Sequence, residues 1–332
     1  MNFKSIFITG GGGYVGSRLI PYLLKKKFKI TVYDTFYFGN KLSKNKNLKV
    51  IRGDIRNITK LSKHCKNHDV FLHLACISND TSFELNEKLS KSINYDAFEP
   101  MVLEAKKLKI KRFIYASTSS VYGISKKKNV REDHKLLPLT SYNKYKGMCE
   151  PQLFKHTNSE FEGVIFRPAT VCGYSPRMRL DLSVNILTNF AYNKKFIKVF
   201  GGKQLRPNLH ILDYCGAVLK LINSPSAKIQ NKIFNVGHEN MSINKIASLV
   251  KKTIQKKMGQ KIKIIKTKSN DLRSYHINSN KISKELGFVP KKNIEQAVIE
   301  VYNALKSKKI TNSFSNLNYY NVEKIKKLKI KN

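Results

Sequence analysis

The sequence predicts an α/β protein: a doubly wound parallel sheet that carries a smaller mixed α/β lobe. Three observations lead there. Short β-branched runs alternate with longer helical patterns through the first half of the chain. A glycine-rich turn joins the first run to the first helical pattern. Beyond about residue 175 the alternation loosens into helices and short, scattered strands.

The elements follow in order. SIFITG (5–10) reads as a strand, and YVGSRLIPYLLKK (14–26) as a helix with Val15, Leu19, Ile20 and Leu23 on one face. KITVYD (29–34), LKVIRGD (48–54) and DVFLHLA (69–75) read as the next three strands. A helix over 56–65 lies between the last two, and 86–109 is a long helical pattern. KRFIYAS (111–117) is the fifth strand, 141–156 a helix and FEGVIFR (161–167) the sixth strand. Strands and helices at this spacing imply βαβ units, with the sheet covered on both faces. Pro151 falls inside the 141–156 helix and removes the bond to the Gly147 carbonyl, so a kink or an early break is expected there. Residues 1–175 therefore form the first domain, with segments around 201–240 returning to it. Residues 176–305 form mainly the lobe, with helices over 180–193 and 242–257 and strands near 196–200 and 262–266. Residues 306–332 are a polar, lysine-rich tail, partly ordered at best.

Composition narrows the class. The chain has 332 residues, 41% of them hydrophobic, enough for one large domain or one domain with a lobe. No stretch approaches the ~18 consecutive apolar residues of a membrane span, and MNFKSIFITGGGG runs directly into a structural motif with no signal peptide ahead of it. Cys65, Cys76, Cys149, Cys172 and Cys215 are far apart, with no CxxC pair. That fits reduced thiols in a cytoplasm and argues against a metal site or a disulfide framework. The formal net charge of +41 would attract any polyanion. The lysines are spread along the whole chain, however, and Ile and Asn are abundant beside them. The excess is read as a solvated surface, with no specific nucleic-acid partner expected.

The chemistry begins at GGGGYVG. Gly10, Gly13 and Gly16 stand at GxxGxxG spacing, with Tyr14 and Val15 opening the helix. Such a turn lets the backbone approach a pyrophosphate, and the helix N-terminus supplies oriented N–H groups. Asp34 closes the second strand, where it can accept from both ribose hydroxyls and repel a 2′-phosphate, so NAD is expected rather than NADP. Asp54 in RGDIR can meet the adenine amino group or cap the 56–65 helix. In SYNKYKG, Tyr142 and Lys146 lie one helical turn apart. A tyrosine of pKa ~10 is a poor base at neutral pH, and a neighbouring ammonium favours its phenolate. YASTSSVYG (115–123) ends the fifth strand in hydroxyls, beside this helix in a doubly wound sheet. A Thr118 hydroxyl can there orient a substrate hydroxyl against Tyr142. His210 and Asp213 could pair, although structural support is the favoured reading. Cys76 and Cys172 read as small core residues beside the cofactor rather than nucleophiles.

GGGGYVG, VYD, GDIR, HLA, STSSVYG and YNKYK, in this order, resemble an extended short-chain dehydrogenase/reductase, a Rossmann protein of the NAD-dependent nucleotide-sugar epimerase/dehydratase family. The resemblance covers residues 1 to about 305. It implies Thr118, Tyr142 and Lys146 as the catalytic group. It implies a cofactor site of Gly10, Gly13, Tyr14, Val15, Gly16, Asp34, Asp54, Ile55, Leu74, Ala75, Cys76, Ser117 and Pro168, together with Tyr142 and Lys146. Family dehydratases carry Asp and Glu directly after the catalytic threonine, whereas this chain has Ser119 and Ser120. Serine cannot supply that acid–base pair near neutral pH. Sugar dehydration is therefore disfavoured, and oxidation of a ring hydroxyl, that at C4, is expected.

RPATVCGYSPRMRLDL (167–182) resembles a subgroup from bacterial surface-polysaccharide pathways that includes nucleotide-heptose 4-dehydrogenases and sugar epimerases. Thr170, Arg177, Arg179, Arg206 and Arg273 are implied, with Thr118, as contacts to a nucleotide-diphospho-sugar, Arg206 and Arg273 on its diphosphate. Pro207 stands where the family commonly has Asp after the arginine, so a different loop geometry is expected. A homodimer through 86–109 and 141–156 is implied as well. Net epimerisation with catalytic NAD leads; a dehydrogenase that releases the keto sugar is the alternative. A non-catalytic scaffold binding RNA through its positive surface is the rival from another class.

Overall fold

The computed structural model describes residues 3–125, 129–268, 274, 276–328 and 330. Seven parallel strands make the main sheet: β1 (Ser5–Thr9), β2 (Lys29–Asp34), β3 (Leu48–Arg52), β4 (Val70–His73), β5 (Arg112–Ala116), β6 (Glu162–Pro168) and, later in the chain, Lys232–Val236. Three strands come between the last two: β7 (Thr170–Cys172), β8 (Phe196–Phe200) and β9 (Leu205–His210), so Lys232–Val236 is β10. β11 (Glu239–Ser242) and β12 (Lys263–Thr267) follow. The order across the main sheet is β10-β6-β5-β4-β1-β2-β3, which reverses direction between β1 and β4. In a doubly wound sheet that switch point opens a crevice at the carboxyl ends of the strands, where ligands bind.

The strands read as continuous apolar runs because both faces are covered. Ile6, Ile8, Val32, Leu72 and Ile114 pack on one face with Leu19 and Leu23 of the helix Gly16–Leu24 and Val218 and Leu221 of the helix Ile211–Asn223. Phe7, Tyr33, Phe71, Phe113 and Tyr115 turn to the other face. There they meet Leu61 of Ile58–Cys65, Met101 of Phe98–Lys107 and Leu153 of Ser141–Lys155. Phe71 and Phe113 stack at 4.6 Å between ring centres. A separate cluster fills the lobe, where the helices Ser183–Lys194, Ile243–Met258 and Ile294–Lys306 pack with Ile197 and Val199 of β8. β9 pairs with β7 in parallel and β11 antiparallel, and β12 pairs with β8.

Three expectations from the sequence are corrected. The 86–109 pattern is not one helix: it comprises Glu87–Lys91, one π turn over Ser92–Asp96 and Phe98–Lys107. The buried Asn94 in that turn accepts from the Ile77 amide at 2.8 Å and donates to the Ile77 carbonyl at 2.9 Å, so it clamps the loop after β4. The helix Ser141–Lys155 runs unbroken through Pro151. Pro151 itself is exposed, and buried Glu150 and Leu153 anchor the backbone on either side of it. Finally, the tail is ordered over 309–328, with a turn at Leu317–Tyr319 and a helix at Asn321–Lys327. Tyr319 packs against Tyr14, Met178 and Leu180, and Ile325 joins the cluster of Ile55, Ile77 and Ile93.

Candidate active site

β5 ends at Ala116, and the hydroxyl run follows at once. Thr118 caps the single turn Ser119–Tyr122 by accepting from the Ser120 amide at 3.2 Å. Its hydroxyl also lies 2.8 Å from the Ser120 hydroxyl, which in turn donates to the Asn143 side-chain oxygen. Ser120 has one proton and gives it to Asn143, so Thr118 donates to Ser120. Asn143 directly follows Tyr142, and the hydroxyl run is thereby tied to the Tyr142 helix. Thr140 starts that helix as its N-cap, accepting from the Asn143 amide at 3.3 Å.

Lys146 lies one turn beyond Tyr142, almost wholly buried. Its ammonium donates to the Ala116 carbonyl at 2.5 Å and sits 4.4 Å from the Tyr115 ring centre. Burial pushes its pKa down, and the neighbouring Glu150 carboxylate opposes that shift. Thr118, Ser119, Ser120, Tyr142 and Lys146 line one cavity of about 990 Å³, at the upper end of the ~300–1,000 Å³ of small-molecule sites. Ser117 lines it too, but its hydroxyl donates away from the opening, to Glu150 at 2.6 Å. Glu150 is bound by Arg167 at 2.5 and 2.9 Å, and Arg167 donates to Tyr122 at 2.6 Å. This buried ionic network forms the floor beneath Thr118, Tyr142 and Lys146.

The same cavity extends along the glycine-rich turn to Asp34. Gly10 has φ +77°, and a Cβ there would lie 2.4 Å from the Ala75 nitrogen. A Cβ on Gly16 would lie 2.3 Å from the Gly11 carbonyl oxygen. Only glycine fits either position. Gly12, which the GxxGxxG spacing does not single out, donates its amide to Asp34 at 2.8 Å, and Phe36 donates to the other carboxylate oxygen at 2.6 Å. Burial pushes the Asp34 carboxyl up, while those two amides and then Arg177 and Arg52 pull it back. A Cβ on Gly13 would meet only the Gly10 carbonyl, at 3.3 Å, which leaves room over the turn for a close ligand. A backbone cradle ending in a fixed carboxylate fits a dinucleotide with two free ribose hydroxyls.

The cavity also takes in Tyr14, Val15, Ile55, Leu74, Ala75, Cys76, Pro168, Thr170 and Arg206. Several of these side chains have partners of their own within the protein. The Tyr14 hydroxyl donates to the Gly173 carbonyl at 2.7 Å, joining the turn to the lobe. Asp54 lines the cavity but does not cap the following helix, because Asn57 does. Asp54 instead binds Arg56 at 2.7 Å; burial would raise its pKa, and the hydrogen bonds from Arg56 outweigh that and lower it. Arg177 and Arg179 line the same cavity. The Arg177 amide donates to Ser17 of the glycine-turn helix at 3.1 Å, and Arg179 pairs with Asp181 at 2.9 Å. Arg273 lies outside the described residues. His210 and Asp213 do not pair: His210 faces Glu300 at 3.6 Å and accepts from the Leu212 amide, while Asp213 accepts from the Lys292 amide. Cys172 belongs to the lobe cluster rather than to the cavity. Lys198, Phe200, Gln204, Asn321 and Ile325 line the cavity as well; all five escaped the sequence reading. Among the described residues, no cluster of His, Cys, Asp and Glu is set to hold a metal ion. No helix among them is long and apolar enough to cross a membrane.

Comparison with known proteins agrees with this geometry. Residues 6–237 match the "NAD dependent epimerase/dehydratase family". An uncharacterized UDP-glucose epimerase, YtcB, of Bacillus subtilis is 31% identical over 259 residues, covering 74% of this chain and 80% of that one. A UDP-N-acetyl-alpha-D-glucosaminuronate decarboxylase of Bacillus cytotoxicus is 29% identical over 258 residues, 74% of this chain and 78% of the relative. The UDP-glucuronic acid 4-epimerase of Bacillus cereus, solved with UDP-glucuronic acid and NAD, superposes with a TM-score of 0.79 at 28% identity, over 92% of this chain and 99% of that one. NAD is the cofactor. Because Asp34 is locked against two amides, it cannot turn away from a 2′-phosphate, and NADP is expected to bind more weakly than NAD. Titration calorimetry with both dinucleotides checks this; equal or tighter NADP binding contradicts it.

Proposed function

Since the chain belongs to the NAD dependent epimerase/dehydratase family of nucleotide-sugar enzymes, we propose that it oxidises the C4 hydroxyl of a nucleotide-diphospho-sugar and reduces the ketone from its other face, a net C4 epimerisation. One observation carries the reading. Thr118, Tyr142 and Lys146 line a single cavity with the glycine turn, and serines stand where a dehydratase needs carboxyls. Ser120 is engaged between Thr118 and Asn143, and Ser119 is buried.

NAD held by the glycine turn and Asp34 would supply the hydride acceptor for the oxidation and the hydride donor for the reduction. Tyr142, as phenolate, takes the proton of the C4 hydroxyl and gives it back after the ring has turned. Thr118 hydrogen-bonds the reacting oxygen, which keeps it beside Tyr142 through both half-reactions. Lys146 places its positive charge one turn away and favours the phenolate. The buried position of that ammonium strengthens the effect, because water screens it little.

Arg206 is the residue for the diphosphate. It lines the cavity beyond the catalytic group, and its guanidinium donates to the Leu205 carbonyl at 3.0 Å. Arg206→Ala is expected to raise KM more than it lowers kcat, since a phosphate contact is made alike in the ground and transition states. Steady-state kinetics decides; unchanged KM would move the diphosphate elsewhere. A homodimer fits the exposed Leu103 and Met148, 47% and 37% accessible, on the helices Phe98–Lys107 and Ser141–Lys155.

A further inference from the structure

Residues 309–328 run between two hydrophobic anchors. Ile310 and Tyr319 pack into the cluster of Tyr14 and Leu180, and Ile325 packs into the cluster of Ile55 and Ile77. Between the anchors lies Asn321, 3% exposed and lining the cavity. Its amide group donates to the Ser78 hydroxyl at 2.8 Å, and its side-chain oxygen accepts from Arg177 at 2.6 Å. Its backbone amide donates to Asp181 at 3.1 Å. One asparagine thus joins the loop after β4, the 177–181 segment and the C-terminal helix.

Arg177 gives the second observation. It too is 3% exposed, and its guanidinium carbon lies 3.9 Å from the Phe38 ring centre. Its Nε is buried with no hydrogen-bond partner among the described residues. Burial first, then the charge of Arg179, push its pKa down to about 9. Asp181 and Asp34 oppose that shift without making a hydrogen bond to the guanidinium's Nε, and a buried guanidinium that lines a cavity with an unspent N–H suits an anion. The glycine turn brings one to this end of the pocket, the pyrophosphate of the dinucleotide.

We infer that Arg177 and Asn321 form a latch on bound NAD: Arg177 binds the pyrophosphate, and Asn321 fixes both Arg177 and the C-terminal helix over it. The cofactor then leaves only when residues 309–328 swing away. The inference rests on the cavity being the NAD site, and it suits an enzyme that regenerates its oxidised cofactor in every cycle.

The test uses the full chain and two variants that act on different anchors, Asn321→Ala and Ile325→Asp, with Lys326→Ala at an exposed position as the control. NAD release is followed after dilution into an enzymatic trap for free NAD, and near-ultraviolet circular dichroism identifies which proteins are folded. Release is expected to quicken at least about tenfold in Asn321→Ala, from loss of a hydrogen bond to a charged group, and to stay at the wild-type rate in Lys326→Ala. Any folded anchor variant decides. Release within about twofold of wild type overturns the latch while NAD binding stands. Failure of the wild type to bind NAD at all overturns the site reading itself.

Discussion

Tyr142→Phe is expected to lower kcat by about 10²–10⁴, the range for loss of a positioned acid–base group, with fold and NAD binding intact. The ring stays in place against Phe83, at 6.4 Å between centres, and only the hydroxyl goes. Lys146 keeps its bond to the Ala116 carbonyl, so the helix and the floor of the cavity are undisturbed. KM should change little, because the proton moves only in the transition state. Kinetics of the variant beside its NAD titration checks this. A variant with near-wild-type kcat would remove Tyr142 as the base.

Glu150→Ala is expected to destabilise the protein by about 3–5 kcal/mol, the range for breaking a buried ion pair from one side. Glu150 and Arg167 are each 3% exposed in their side chains, and Arg167 would be left charged with no carboxylate. Ser117 would lose its acceptor in the same step. Removing both charges is predicted to be far milder, since an apolar pair of similar volume needs no desolvation. Urea unfolding of Glu150→Ala and of the double variant Glu150→Met with Arg167→Met compares the two. A single variant as stable as wild type, or a double variant worse than the single, contradicts the account of the floor.

The candidate site was legible because its signals are local. Gly10, Gly13 and Gly16 announce a turn by spacing alone, Asp34 ends the next strand, and Tyr142 and Lys146 share a helix face. What escaped depends on contacts between distant residues. Asn321 meets Ser78 across 243 positions and Arg177 across 144. No spacing rule reaches that far, so Asn321 did not stand out in the sequence. The apolar rhythm of Tyr319, Val322 and Ile325 is present in the sequence, but the lysines around it read as a solvated tail. The π turn at Ser92–Asp96 was hidden for a similar reason: its Asn94 serves Ile77, a residue outside its own helix. Pro151 failed as a breaker because tertiary anchoring of its neighbours outweighs one lost backbone bond.

The most direct test of the proposed chemistry is the mass of the product formed from a nucleotide sugar deuterated at C4, with the protein's own NAD as the only oxidant. The account predicts the C4 epimer at unchanged mass, with the deuterium retained, because the hydride that leaves is the one that returns. Loss of the mass of one water would return the enzyme to the dehydratases, and a released ketone with the label lost to the cofactor would make it a dehydrogenase.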